Sequence, residues 1–349
     1  MPQNKAAWLE GHKQYPLVVR DAPFTSPNPD QVLIKVFCTA MNPADWKIVK
    51  WGYRVTKFPM VIGQDVSGVV EEVGANITHV RKGSRVVAQV MAVVTENPAE
   101  GAFQLYTLAN KEAVSPIPDS LDFEHAAVLP LAVSTATVGL YTPQQLALPL
   151  PNVKPEPKNQ VVLVWGGSSS VGGMTVQFAK LSGYKVAATC SPRNNEYVKS
   201  LGADFVFDYS SSSVVEDIVD TLREYEVAGI FNAIGGETSG TACNGVMSRV
   251  RTPTTRKHVA TVPPLPKDIP EGVVVEALGS AATMFFDDRK EIASYIWKEF
   301  LPQALKEGVL KVVPEPLVVG EGLDKIQEAL DTLEAGVSAK KVVVRLASE

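Results

Sequence analysis

The chain is 349 residues long, which is enough for two domains of ordinary size and too long for one comfortable core. Hydrophobic residues make up 45% of it and charged residues 20%, as is usual for a globular protein. Its formal net charge of −5 argues against nucleic acid or an acidic membrane surface as a general partner. Any anionic ligand must therefore be held by a local cluster of basic groups.

Targeting signals and cysteine usage favour the cytosol. The sequence opens without an apolar run that could serve as a signal peptide, and we find no stretch that approaches the roughly 18 apolar residues needed to span a bilayer. The three cysteines, Cys38, Cys190 and Cys243, are far apart and odd in number, which favours reduced thiols over a disulfide framework. We therefore expect a soluble, cytoplasmic protein.

The first 120 residues predict a small β-barrel or sandwich. Short runs rich in Val, Ile and Ala are separated by Pro, Gly and Asn, and few of them show a helical period. The predicted strands are 5–10, 31–40, 65–74 and 84–94. A helix start follows at 119–124, where the period changes.

The second half predicts a different architecture. Residues 142–160 hold five prolines and predict an irregular connector. From Val161 strands alternate with helices, which is typical of a doubly wound parallel sheet of the Rossmann type. A Pro-rich loop is predicted at 252–270. The remaining predicted elements are a strand at 273–279, helices at 292–305 and 323–335, and a strand at 340–346 that returns to the N-terminal sheet.

The turn after the first strand of this half predicts a dinucleotide site. The strand ends at Gly166, and small residues then let backbone N–H groups approach a pyrophosphate at the start of the next helix. The pattern from Gly166 to Gly172 is G-x-x-S-x-x-G rather than G-x-G-x-x-G, so by itself it is weak. The strand before it and the helix after it support the prediction.

The end of the second strand indicates which nicotinamide cofactor fits. It reads Ser191-Pro192-Arg193-Asn194 and lacks the acid that binds the ribose 2′-hydroxyl in NAD sites. Ser191 can donate a hydrogen bond, and Arg193 offers a charged fork suited to a 2′-phosphate. The segment therefore predicts NADPH. The alternative is a polar loop with a solvated arginine.

Over nearly its whole length the chain resembles a medium-chain dehydrogenase/reductase. Where zinc enzymes of that superfamily carry a Cys ligand and a G-H-E-x-x-G segment, this chain has Asn42-Pro43-Ala44-Asp45 and the segment G-Q-D-V-S-G at 63–68. The amides Asn42 and Gln64 are poor zinc ligands, and three scattered cysteines cannot form a four-cysteine structural site. We therefore expect no metal. The histidines, expected at surface or loop positions, are His12, His79, His125 and His258.

The resemblance also implies a domain organisation. A GroES-like β-rich substrate domain would span residues 1–122, and a Rossmann NADP-binding domain would span 123–308. Residues 309–349 would return to the GroES-like domain. The implied fold class is thus α/β, with a doubly wound parallel sheet inserted into a β-rich domain.

Zinc-free branches of the superfamily reduce activated carbon–carbon double bonds or quinones, where conjugation in the substrate spreads the developing charge. Within them the chain resembles most the trans-acting enoyl reductases of fungal polyketide biosynthesis. The segments that carry this resemblance are N-P-A-D-W-K at 42–47, L-P-L-A-V-S-T-A at 129–136, L-P-L-P at 148–151, T-C-S-P at 189–192 and F-D-Y at 207–209.

Residue roles follow from this resemblance by position. Lys47 and Thr135 would be catalytic, orienting the substrate or polarising its thioester carbonyl, with the final proton coming from water. The implied cofactor contacts are Asp45, Trp46, Lys47, Ile48, Ser168, Ser169, Ser170, Val171, Ser191, Pro192, Arg193, Asn194, Tyr209, Ala339 and Lys340. The implied lining of the acyl pocket is Leu129, Pro130, Leu131, Thr135, Ala277, Leu278, Gly279, Ser280 and Ala281.

The leading hypothesis is hydride transfer from NADPH to the β-carbon of an α,β-unsaturated acyl thioester, carried by an acyl carrier domain of a polyketide synthase. The alternative is a stand-alone NADPH:quinone or enone oxidoreductase. A third hypothesis is a cofactor-binding protein without turnover. Lys47 could also be a solvated lysine, Tyr209 a packing residue at a sheet edge and Thr135 an ordinary helix residue. A monomer is expected, with a dimer left open.

Overall fold

The computed structural model describes residues 3–286 and 289–347. The chain forms two compact units. The first unit comprises residues 1–131, 282–308 and 315–349, and the second unit comprises 132–281 and 309–314.

The first unit includes residues 123–131 and 282–308, which the sequence analysis had assigned to the Rossmann domain. Two contacts show why the flanking segments join the first unit. The Ser67 hydroxyl donates to the Phe123 carbonyl oxygen at 2.6 Å, and the Lys298 ammonium lies 2.6 Å from the Glu112 carboxylate. A predicted helix start and a predicted late helix are thereby packed on the β-rich part, which no local sequence pattern indicates.

Strands and helices are numbered in chain order. The strands are β1 (Asn4–Leu9), β2 (Val18–Ala22), β3 (Gln31–Ala40), β4 (Met60–Val61), β5 (Asp65–Val73), β6 (Arg85–Gln89), β7 (Tyr106–Asn110), β8 (Val114–Pro116), β9 (Gln160–Trp165), β10 (Lys185–Cys190), β11 (Phe205–Asp208), β12 (Glu226–Asn232), β13 (Lys257–Thr261), β14 (Val273–Ala277), β15 (Glu315–Glu321) and β16 (Lys340–Arg345). The helices are α1 (Pro43–Trp51), α2 (Ala92–Thr95), α3 (Phe123–Ala126), α4 (Pro130–Tyr141), α5 (Ser170–Leu181), α6 (Asn195–Ser200), α7 (Val214–Thr221), α8 (Glu237–Arg249), α9 (Lys290–Ser294), α10 (Leu301–Lys306) and α11 (Lys325–Ala335).

The first unit is built on a sheet with strand order β15-β16-β3-β5-β6-β8, to which β7 adds by pairing with β3. The long strand β3 is central because its run of Val, Ile, Leu, Phe and Cys is almost wholly buried. The last strand, β16, pairs antiparallel with β3, with Val343 opposite Ala40. The predicted return of the C-terminal strand is thus confirmed. A smaller sheet has the order β2-β1-β4.

The second unit contains a parallel sheet with the order β11-β10-β9-β12-β13-β14. The order steps outward from β9 in both directions, which is the doubly wound arrangement. Residues 161–165 of β9 are all buried, as the continuous apolar run requires for a strand covered on both faces. The predicted fold class is confirmed.

The strand β13 lies inside the segment that was predicted to be a Pro-rich loop. Its sequence is short, begins with Lys and His and stands between prolines, so it has little strand character of its own. Its burial comes from parallel pairing with β12 and β14. His258 is therefore buried on a strand rather than exposed in a loop, and desolvation lowers its pKa to about 4.

One prediction about apolar length is wrong. Within the described residues, the stretch Phe123–Tyr141 is long and apolar enough, by length and composition alone, to cross a bilayer. Most of it is buried inside the protein, which is what a core helix shows, so this is weak support for a membrane span. The stretch contains α3 and α4.

Candidate active site

The turn after β9 is shaped by two glycines. Gly166 has a φ of 85°, a left-handed conformation that glycine adopts without strain. A Cβ at Gly172 would lie 2.1 Å from the Gly166 carbonyl oxygen, so only glycine lets α5 begin so close to the turn. Ser169 caps α5, because its oxygen accepts the Gly172 N–H at 3.0 Å and its hydroxyl donates to the Gly166 carbonyl at 2.9 Å.

Ser170 contributes a buried oxygen that has no partner. Its Oγ is shielded from solvent and makes no hydrogen bond to any residue that the structure describes. Buried hydroxyls are ordinarily paired, and the first-turn N–H groups of α5 at Ser170 and Val171 have no acceptor within the helix. The acceptor oxygens of a pyrophosphate match these donors. The predicted residues Ser168–Val171 therefore fit the phosphates of a dinucleotide.

The neighbouring strand β10 leads into the predicted ribose segment. The amide of Asn194 donates to Ser191 Oγ at 3.1 Å, which closes the turn that follows the strand. Arg193 is exposed and has no carboxylate partner in the described part of the chain. Tyr209 follows the adjacent strand β11 and is 51% exposed. A guanidinium and a phenol at one sheet edge suit a phosphate on the ribose.

Asp208 brings a negative charge to the same edge. Its carboxylate accepts the Ser210 N–H at 2.9 Å and the Ser210 hydroxyl at 2.7 Å, and these bonds hold its pKa below the usual range. Asp208 ends β11, whereas the ribose-binding acid of NAD sites follows the strand that here is β10. It therefore does not take the place of the missing acid.

Residues 132–141 of α4 belong to the second unit, and one of them is half-exposed. From Ala132 to Tyr141 every residue is buried except Thr135. The helix packs closely, since a Cβ at Gly139 would lie 2.2 Å from the Phe231 ring and 3.2 Å from Leu278. The structure thus brings Leu278, one of the predicted lining residues, against the helix that carries Thr135.

In the first unit, Lys47 of α1 lies beside a pair of indole rings. The Lys47 ammonium lies 5.6 Å from the ring centroid of Trp46 and 5.6 Å from that of Trp51. The two rings meet edge to face with centroids 5.0 Å apart. Lys47 makes no ion pair or hydrogen bond among the described residues. Its ammonium is therefore held only by aromatic faces and is available to a ligand.

A buried polar cluster lies at the start of α1. Asn42 Nδ2 donates to Asp65 Oδ2 at 2.9 Å, and the Lys341 ammonium donates to Asn42 Oδ1 at 2.5 Å. The same ammonium lies 2.9 Å from Asp65 Oδ2. The Lys341 side chain is 4% exposed and that of Asp65 is not exposed. We call these three residues, with Asp45 and Gln64, the buried polar cluster.

Asp45 completes the cluster as the third residue of α1. One of its carboxylate oxygens accepts the Asn42 N–H at 2.8 Å, and the other lies 3.5 Å from the Gln64 amide nitrogen. Burial raises the pKa of Asp45 to about 7, and the nearby Asp65 carboxylate acts in the same direction. Asp45 and Ile48 are fully buried, whereas Trp46 and Lys47 are half-exposed.

The other predicted residues of the first unit adjoin this cluster through a hydrogen bond from Leu131 or through the chain at Lys341. Leu129 and Pro130 are buried and Leu131 is half-exposed, with its N–H donated to Asp65 Oδ1 at 2.7 Å. Ala339 has a φ of 48°, a left-handed conformation unusual for alanine, and Lys340 is exposed. These two residues directly precede Lys341.

Comparison with known proteins gives matches over the whole chain. Residues 28–119 match the alcohol dehydrogenase GroES-like domain, and residues 170–250 match the zinc-binding dehydrogenase family. Dehydrogenase azaJ of Aspergillus niger is 36% identical over 99% of this chain and 100% of its own length. Trans-enoyl reductase himH of Aspergillus japonicus is 35% identical over 98% of this chain and 97% of its own length.

The chain belongs to the medium-chain dehydrogenase/reductase superfamily. The crystal structure of CurK enoyl reductase has the same fold, with a TM-score of 0.78 at 18% identity, over 99% of this chain and 100% of that one. This medium-chain dehydrogenase/reductase is accordingly an oxidoreductase, and its Rossmann-type unit implies a nicotinamide cofactor. The orphaned Ser170 oxygen and the glycine turn fit such a cofactor.

A zinc ion, which the name of one matching family implies, does not fit this member. No group of three or more His, Cys, Asp or Glu side chains converges on a metal position within the described residues. The amide oxygen of Asn42 is already bonded to the Lys341 ammonium, and the Gln64 amide faces Asp45. A second cation beside that ammonium would be repelled in a buried site.

Sequence reasoning did not assign roles to Lys341, Asp65 or Trp51. Consecutive residues of β16 face opposite sides of the sheet, so the sequence predicts that Lys340 and Lys341 differ in burial. It does not indicate which of the two is buried. Asp65 follows Gln64 in the segment 63–68, and an acid directly after an amide at a zinc-ligand position is the signal in the sequence that points to it. Trp51 lies four residues after Lys47, the spacing of neighbours on a helix face.

Proposed function

We propose that this chain is an NADPH-dependent, trans-acting enoyl reductase. It would transfer hydride to the β-carbon of an α,β-unsaturated polyketide acyl thioester. The observation that carries the proposal is the buried polar cluster, in which Asn42 and Gln64 are committed to neighbours where zinc enzymes hold a Lewis acid. A substrate reduced here must therefore bring its own activation, and a conjugated thioester does so. The trans-enoyl reductase himH, which is 35% identical over 98% of this chain, supports the same reaction by its name.

NADPH, when bound, supplies the hydride. Ser168–Val171 would hold its pyrophosphate, and Ser191 and Arg193 its 2′-phosphate. The exposed guanidinium and the absence of an acid after β10 favour NADPH over NADH.

Lys47 and Thr135 would act on the substrate. Among the described residues the Lys47 ammonium contacts only the rings of Trp46 and Trp51, so it would donate to the thioester carbonyl oxygen as negative charge develops there. Thr135 is the one half-exposed residue of α4 between Ala132 and Tyr141 and would orient the acyl chain. The α-carbon would then take a proton from water.

The acyl chain would arrive on a carrier domain of a polyketide synthase. We expect this chain to act in the cytoplasm as a monomer. All three cysteines are free and buried, which is consistent with a reducing compartment.

The direct test offers crotonyl-N-acetylcysteamine thioester, and separately a small quinone, to the purified enzyme. Consumption of NADPH is followed by absorbance. We expect oxidation of NADPH with the thioester, much slower oxidation of NADH, and saturated thioester as the product by mass spectrometry. Turnover of the quinone alone would replace the proposal with a stand-alone NADPH:quinone oxidoreductase. Cofactor binding without any turnover would identify a non-catalytic protein.

A further inference from the structure

We propose that Lys341 and Asp65 form a positioning pair, in which the lysine ammonium takes the structural place of a metal ion and fixes the segments that carry the active site in the first unit. The inference rests on the proposed function for the roles of Lys47, Leu131, Ala339 and Lys340. The geometry around the pair is independent of those roles.

The pair is the centre of a closed set of hydrogen bonds. Asp65 uses both carboxylate oxygens, since Oδ2 accepts from Lys341 and from Asn42 while Oδ1 accepts the Leu131 N–H at 2.7 Å. Lys341 also donates to Asn42 Oδ1 at 2.5 Å. Lys341, Asp65 and Asn42 thus each contact the other two. The ammonium has the position of a bound ion, and the oxygens of Asp65 and Asn42 have the positions of its ligands.

Each hydrogen bond of this set involves a residue at the start of a segment that has a proposed role in binding or catalysis. Asn42 is the residue before α1, and α1 carries Lys47 five residues later. Leu131 lies in the first turn of α4, among the proposed lining residues of the acyl pocket. Lys341 follows Ala339 and Lys340, the proposed cofactor contacts, at the start of β16. One ion pair therefore fixes three chain segments relative to each other.

Stability alone does not account for such a pair. Burying both charges costs desolvation free energy, and well-packed neutral residues of similar size are often as stable or more so. What a buried ammonium supplies is a point charge with three directed donors, which fixes the direction of its partners. A tertiary arrangement held in this way suits a site that must be preorganised to within about 0.5 Å.

The first experiment removes the Lys341 ammonium by mutation and tests whether a free alkylammonium ion can replace it. Lys341→Ala leaves a cavity that ethylammonium can fill. We expect kcat to fall at least about tenfold, because displacements of about 1 Å at a reacting site can cost on the order of a hundredfold. Ethylammonium should restore a large part of kcat, whereas ethanol, which is similar in shape but uncharged, should not. Equal rescue by ethanol, or a kcat within twofold of wild type, would overturn the proposal.

A matched control removes another shielded ion pair of the same unit. The Lys298 ammonium lies 2.6 Å from the Glu112 carboxylate, and neither residue has a proposed role in binding or catalysis. Lys298→Ala should lower the thermal midpoint without changing kcat. A loss of kcat in this control equal to that of Lys341→Ala would show that any loss of stability lowers activity, and the proposal would fall.

A double variant covers the case in which Lys341→Ala does not fold. Asp65→Asn with Lys341→Met replaces the pair by neutral residues of similar size and leaves no unpaired buried charge. We expect it to be folded with a thermal midpoint near wild type, yet to keep a kcat at least about tenfold lower. A folded double variant with wild-type kcat would show that the pair only stabilises the fold.

A readout without turnover separates this inference from the proposed function. Hydrogen exchange of the backbone amides at 44–47 and at Leu131 should become at least tenfold faster in the Lys341 variant and stay unchanged in the Lys298 variant. If wild type reduces no enoyl thioester, the proposed function fails while this result still decides the positioning role. Unchanged protection of both segments would overturn it.

Discussion

At the scale of single residues, the proposed preference for NADPH depends on Arg193. Its guanidinium is exposed and unpaired within the described residues, so a 2′-phosphate would be its main partner. Arg193→Ala should raise KM for NADPH by roughly tenfold, since a charge-assisted hydrogen bond contributes about 1.5–3 kcal/mol and solvent weakens it here. KM for NADH should stay unchanged. Arg223→Ala, which removes an exposed arginine paired with Asp220, is the control. Equal losses with both cofactors would contradict this role.

Asp45 predicts how stability depends on pH. Its pKa is about 7 in the folded protein, above the value of 3.8 expected for an exposed aspartate. Between these values the folded state binds a proton that the unfolded state does not, so the free energy of unfolding falls as pH rises from about 4 to 7. The slope from this one group is on the order of 1 kcal/mol per pH unit.

Urea unfolding at several pH values checks this dependence. Asp45→Asn keeps an acceptor for the Asn42 N–H but cannot titrate, so the difference in unfolding free energy between wild type and variant should change across this window. A difference that is constant with pH would show that Asp45 titrates normally. The predicted sign is opposite to that of a carboxylate held ionised by a salt bridge.

At the scale of secondary-structure elements, α1 arranges its own aromatic residues around Lys47. Trp51 is 59% exposed, so its replacement should cost little stability. Trp51→Leu removes one of the two rings near the Lys47 ammonium and should lower kcat a few-fold, whereas Trp51→Phe should retain most of it. The control is Tyr53→Leu, which removes an exposed ring that contacts Arg54 instead. Similar kcat values for Trp51→Leu and Tyr53→Leu would contradict the arrangement.

The turn between β9 and α5 is the second element for which a substitution has a specific expected effect. Gly172→Ala would place a methyl group 2.1 Å from the Gly166 carbonyl oxygen, so either the turn or the first turn of α5 must shift. We expect at least tenfold weaker NADPH binding, measured by quenching of protein fluorescence, and a lower thermal midpoint. Gly245→Ala in α8, where the nearest atom is 3.5 Å away, is the control. Equal NADPH affinity in both variants would place the pyrophosphate elsewhere.

At the scale of the whole molecule, periodic patterns identified the parallel sheet and the return of the last strand. The apolar runs at 161–165 and 340–345 are long enough for their own strand propensity to determine their structure. The short β13 is a strand only because it pairs with its neighbours. The glycine turn after β9 could be predicted because it is local, and its binding of a dinucleotide stays a prediction. The buried polar cluster could not, because Lys341 and Asn42 lie 299 positions apart and only tertiary structure joins them.

The same cluster predicts that the whole enzyme works without a metal. Two of its amides hold protein partners, and its cation is Lys341, so a zinc ion would have to displace an ammonium from the buried carboxylate of Asp65. Prolonged dialysis against a chelator should leave kcat and KM within twofold of the untreated enzyme, and elemental analysis should find less than about 0.1 zinc per chain. A zinc-dependent medium-chain alcohol dehydrogenase treated in parallel shows that the chelation works. Loss of activity that zinc restores would mean that the chain holds a metal through residues other than this cluster, and the argument for a self-activated substrate would then fail.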